Sequence, residues 1–106
     1  MAAISGSIPA NLPILTGKNY ENWKIQIKVV MRFLGAWEFV EEGYILVGER
    51  ATDEQKAVDR EKEKKDCKAL FILQQSVDAA NFEKIAMAQT SKEAWDILEK
   101  SLDGAT

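Results

Sequence analysis

From Tyr20 to Leu34 the bulky apolar residues fall at Tyr20, Trp23, Ile27, Val30, Met31 and Leu34. That three-and-four spacing lines one face of an α-helix. Ile25, Ile27 and Val29 also alternate with Lys24, Gln26 and Lys28, as a strand would. The pattern runs on to Gly35 without a turn residue, however, which is longer than most strands. A helix is therefore predicted, entered through the Thr16-Gly17 turn and capped by Asn19, whose side-chain oxygen can accept from free backbone N–H groups. Gly35 interrupts it. Ala36 to Glu42 is expected to add a further turn or two with Trp37 and Val40 inward, and Gly43 suits the left-handed residue past a helix end.

A second long helix opens at Thr52, where Gln55 three residues on completes a capping box. Asp53 to Lys68 is nearly all charged, both signs mixed, and continues unbroken into Ala69-Leu70-Phe71-Ile72-Leu73. This reads as one helix, solvated at its start and buried at its end, with Glu61 and Lys65 spaced for an i,i+4 pair. Asp78 can cap a short helix ending near Met87, with Ala79, Phe82, Ile85 and Ala86 inward. A last helix begins at Thr90 or Ser91, where Thr90 and Glu93 make a capping box. Its stripe is Ala94, Trp95, Leu98 and Leu102, Asp96 and Lys100 pair along its outer face, and Gly104 stops it.

The pattern predicts an all-α fold: a small bundle of about five helices over residues 13–104, preceded by a flexible or extended segment, residues 1–12. Met1 to Ser7 is expected to be mobile, and Ile8, Leu12, Ile14 and Leu15 to lie as a strap over the bundle. The expected core is Tyr20, Trp23, Ile27, Leu34, Trp37, Leu70, Leu73, Phe82, Trp95 and Leu98, with the three indoles brought together from separate helices. Ile45-Leu46-Val47, between Gly43 and Gly48, is too short for its own helix. It either folds back onto the helices or stands exposed as a contact for a partner chain, since soluble monomers seldom leave such clusters bare.

Composition narrows the chemistry. A chain of 106 residues allows one domain with a modest core. There is no histidine, which removes the usual neutral-pH base and the usual metal ligand. No acid–base pair or phosphate-binding loop stands out, so neither an enzyme nor a cofactor is expected. Cys67 is the single cysteine, expected as a semi-buried, inert thiol in a reducing compartment. No apolar run is long enough to span a bilayer, and Pro9 and Pro13 fall where a signal peptide would need its apolar core. A net charge of −3 argues against direct nucleic-acid binding.

Two motifs carry a resemblance. Leu15-Thr16-Gly17-x-Asn19-Tyr20-x-x-Trp23, with Thr90-Ser91-Lys92-Glu93-Ala94-Trp95-x-x-Leu98, resembles the N-terminal part of Gag polyproteins of copia-type LTR retrotransposons, especially plant ones. The resemblance covers about Pro13 to Gly104. It implies a helical module similar to the N-terminal domain of a retroviral capsid protein, associating weakly with other Gag copies in cytoplasmic particles. The chain departs from the family pattern at Ile45-Leu46-Val47, where polar or acidic residues are usual.

Three functions follow as expectations. The first is a structural self-assembly module. The second is a captured Gag fragment acting on a host protein as an adaptor, or as an inhibitor of assembly. The third is RNA binding through Lys18, Lys24, Lys28 and Arg32, a strip opposed by net acidity and by aromatics committed to the core.

Overall fold

The computed structural model describes residues 11–102. The expectations for the first ten residues, Ile8 among them, and for Gly104 as a stop lie outside the described residues. Five helices follow in order: α1 (Tyr20–Phe33), α2 (Trp37–Glu42), α3 (Asp53–Gln75), α4 (Ala79–Ile85) and α5 (Ser91–Leu102). Among the described residues there is no strand, only an isolated parallel bridge between Leu15 and Val77. The fold is a small all-α bundle.

α5 is the hub, packed against α2, α3 and α4. It buries Ser91, Ala94, Trp95 and Leu98. α1 contributes Trp23, Ile27 and Met31, one residue per turn of its inner face. Gly35 ends α1 at φ 70°. The N–H of Gly35 there donates to the Arg32 carbonyl at 3.0 Å, and that of Ala36 to the Met31 carbonyl at 2.8 Å. The last carbonyls of α1 are thereby satisfied and the chain reverses into α2.

Trp23 lies between Tyr20 and Trp95, ring centroids 6.4 and 5.8 Å away, and Trp37 meets the Trp95 ring edge-on at 5.3 Å. Trp23, Ile27, Leu73, Trp95 and Leu98 are buried, whereas Tyr20, Leu34, Trp37 and Leu70 pack on the core only partly covered. Phe82 is a correction. It is 40% exposed, and the inward residues of α4 are Asn81 and Ile85, with Ala79 and Ala86 outside. The Asp78 carboxylate sets this register by accepting the Asn81 N–H at 3.0 Å and its side-chain amide at 2.9 Å. Phe82 is one residue further round and faces out.

Asn19 precedes α1 but does not cap it with its side chain. Its backbone is not extended, and the amide points back into the preceding turn. Oδ1 accepts the Thr16 N–H at 2.8 Å, and Nδ2 donates to the Ile14 carbonyl at 2.9 Å. Thr52 and Gln55 form the reciprocal capping box of α3. At α5 the Thr90 hydroxyl accepts the Glu93 N–H, while the Glu93 carboxylate reaches one residue further back to the Gln89 N–H. Among the described residues Glu61 pairs with Lys64, the neighbour of the expected Lys65, and Asp96 pairs with Lys92, one turn before it, rather than with Lys100, one turn after it.

Leu15 is fully buried, and its strand-like segment is tied to the joint between α3 and α4. Its N–H donates to the Ser76 carbonyl at 2.8 Å, and its own carbonyl accepts the Asp78 N–H at 3.0 Å. The Trp23 indole N–H reaches the same Ser76 carbonyl at 2.7 Å. One buried acceptor thus holds the approach to α1 and the helix itself. Leu12 rests partly buried on the core and Ile14 is 45% exposed, so the strap is anchored chiefly by Leu15.

Candidate interaction surfaces

Gly43 and Gly48, at φ 76° and 98°, bracket the segment carrying Ile45-Leu46-Val47. The segment leaves its side chains only partly covered by the helices. Ile45 is 83% exposed, Leu46 43% and Val47 49%. Its backbone, by contrast, is fastened to α3: the Val47 N–H donates to Asp59 Oδ2 at 2.8 Å, and Lys62 Nζ donates to the Ile45 carbonyl at 3.1 Å. The cause lies in what α3 offers at this height. Its surface there carries carboxylate and ammonium groups, which attract peptide groups. Asp59 is 9% exposed, and its other carboxylate oxygen has no partner among the described residues.

Tyr44 leads into this segment with its ring edge-on to Phe39, centroids 5.6 Å apart. Burial pushes the phenol pKa above its ordinary value, and the charges of Asp66, Glu63 and Cys67 push in the same direction.

Buried carboxylates on α3 escaped the reading of its first half as a solvated face. Stepping back from Leu73 by threes and fours gives Ala69, Asp66, Lys62 and Asp59, and only Lys62 of these is not buried. The signal was the phase of the helix rather than its composition. The same phase accounts for Cys67, which is exposed and not semi-buried because it sits one residue beyond the inward row.

A second uncovered surface lies on the outside of α1, where Ile25 is 63% exposed, Val29 58% and Phe33 71%. These are the apolar residues that the inward face of α1 leaves over, and the alternation of Ile25 and Val29 with lysines is their trace in the sequence. The expected basic strip is divided here. Lys24 Nζ sits 4.9 Å from the Tyr20 ring centroid and Lys28 Nζ 5.2 Å from that of Trp37, while Lys18 and Arg32 are exposed. Between α1, α2 and α5 runs a groove of about 410 Å³, floored by Trp37 and Trp95. Lys24 and Lys28 line one wall, and Glu41, Asp96 and Glu99 the other.

Among the described residues no group of three or more cysteine or carboxylate side chains is placed to hold a metal ion. No helix among them is long and apolar enough to cross a membrane. The large apolar side chains left uncovered include those of the tethered loop and of the α1 face.

No curated protein and no solved structure matches the chain. Residues 15–41 match the family described as a domain of unknown function (DUF4219), a domain found in retrotransposon Gag-like proteins. The matched stretch starts at the buried Leu15 and takes in α1 and most of α2, so it includes the exposed row Ile25, Val29 and Phe33.

Proposed function

We propose that this chain is a self-assembly module of a copia-type retrotransposon Gag, similar to a capsid N-terminal domain, which joins copies of itself into a cytoplasmic particle by weak contacts. The observation that carries the reading is the loop at Ile45-Leu46-Val47. Hydrogen bonds to Asp59 and Lys62 tether its backbone while Ile45 stands out in solvent and Leu46 and Val47 are each about half exposed. Holding such a cluster outward favours a contact, because ordering it beforehand reduces the entropy lost on association. Weak contacts suit a particle, since many reversible bonds give tight assembly without any one being strong. The match to a domain of Gag-like proteins supports the same reading.

The test is particle formation by a Gag chain carrying this region, followed by sedimentation and electron microscopy. Serine at Ile45, Leu46 and Val47 is expected to abolish particles while the domain stays folded. Normal particles from Gag lacking residues 11–102 would overturn the proposal. The same loop favours a second reading, a captured Gag fragment that binds a host protein as an adaptor or blocks assembly. That reading predicts a partner other than Gag that is lost from pull-downs with the triple-serine variant.

A further inference from the structure

We propose that the outer face of α1 is a symmetric contact between two copies of this chain, the helices packing antiparallel with Ile25 of each against Val29 of the other. The inference rests on the self-assembly reading and names a surface distinct from the loop.

Ile25, Val29 and Phe33 recur at every fourth residue and form one row about 12 Å long. All three are more than half exposed. The charges beside the row specify how a second copy would lie on it. With about 100° per residue, Glu21, Lys28 and Arg32 fall along one flank, and Asn22 and Gln26 along the other. Glu21 stands at the start of that flank and Arg32 at its end, both exposed, and neither makes an ion pair among the described residues. Lys28 lies between them with its ammonium turned back over the Trp37 ring, away from the row.

A two-fold antiparallel pairing brings the same flank of each helix together. In the register that sets Ile25 against Val29, Glu21 of each copy comes opposite the last turn carrying Arg32 of the other. The complementary pair forms twice. A parallel pairing would set Glu21 against the flank of Asn22 and Gln26, which has no charge to offer. Antiparallel packing also opposes the two helix dipoles favourably. A contact of this kind is isologous and closes at two copies. Extended assembly then requires a second surface, a role the Ile45-Leu46-Val47 loop can fill.

The test is sedimentation velocity of the 106-residue chain over a concentration series, with circular dichroism on each variant. A contact this small is expected to give a reversible dimer with a Kd of about 100 μM. E21R and R32E are each expected to raise that Kd roughly tenfold, because attraction becomes repulsion at both symmetry-related positions. The double variant E21R/R32E is expected to restore it to within about twofold of the parent, since the exchanged charges face each other again. V29E is expected to leave a folded monomer.

A parent chain that stays monomeric at about 1 mM overturns the contact. So does a dimer indifferent to the single reversals, or a double variant that is not rescued. Particles built by a V29E Gag chain would remove this contact and leave the assembly reading intact. That reading fails separately, if particles form without residues 11–102.

Discussion

The buried Asp66 carboxylate on α3 accepts both the hydroxyl of Ser91, at 2.5 Å, and its backbone N–H, at 3.1 Å. The pair spans 25 residues and fixes the first turn of the hub helix to α3. A carboxylate there also meets the positive end of the helix dipole. S91A keeps the N–H bond and loses the hydroxyl donor, and is expected to cost about 1.5–3 kcal/mol. D66A leaves both Ser91 donors buried and unpaired, for a cost of about 2–4 kcal/mol. Urea denaturation at unchanged m-value measures both.

The Trp23 indole N–H bound to the Ser76 carbonyl gives a second prediction. W23F keeps an aromatic ring but removes that donor, and is expected to lose about 1–3 kcal/mol. W23A also opens a cavity between Tyr20 and Trp95 and is expected to lose about 3–5 kcal/mol, a large share of the stability of a domain this size. A thermal-melt series of the two variants separates the hydrogen bond from the packing.

The tethered loop is expected to divide local from global stability. Serine at Ile45, Leu46 and Val47 should shift unfolding by no more than about 1 kcal/mol, because Ile45 is exposed and Leu46 and Val47 are only half covered. D59A removes the acceptor that holds Val47, but also a buried oxygen without a partner, so its global effect is expected to be small. Hydrogen exchange at the Val47 amide should nonetheless rise sharply in D59A, which distinguishes release of the loop from loss of the fold.

Tyr44 carries a pH prediction. The fold favours the neutral phenol, chiefly through burial and then through the neighbouring carboxylates. A folded pKa above the unfolded one gives stability that is complete below the ordinary tyrosine pKa of about 10, and that is lost as pH rises through the folded value. Phenolate absorbance in a Y20F background, which leaves Tyr44 as the remaining tyrosine, should titrate higher in the native chain than in urea. Equal midpoints would contradict it.

What the sequence made legible was the order of helices, because the inward stripes of α1 and α5 keep their period and the boundaries carry Gly35, Gly43, Thr52 and Asp78 at fitting places. Tertiary choices were harder to read. Phe82 looked like core because it is large and apolar, yet the carboxylate of Asp78 turns Asn81 inward instead. Asp59 and Asp66 looked like solvent-facing charge, since composition hides the phase that buries them. The loop at Ile45-Leu46-Val47 was open to two readings, and its backbone pairing with polar groups on α3 leaves Ile45 out and Leu46 and Val47 half covered. The α1 surface left only the alternation of Ile25 and Val29 with polar neighbours in the sequence, and its exposure depends on where the other helices are absent.

The bond from Trp23 to Ser76 reaches across 53 residues, and it bears on how the chain emerges during synthesis. On a ribosome, the first amphipathic segment leaves the exit tunnel well before Ser76, Val77 or Trp95 exist to receive it. The matched stretch is therefore no autonomous folding unit: a peptide of residues 15–41 would lack every long-range partner of Leu15, Trp23 and Trp37. The nascent chain must hold its apolar side chains unsheltered until nearly all of the domain has been translated, a delay during which neighbouring polysomal copies can meet.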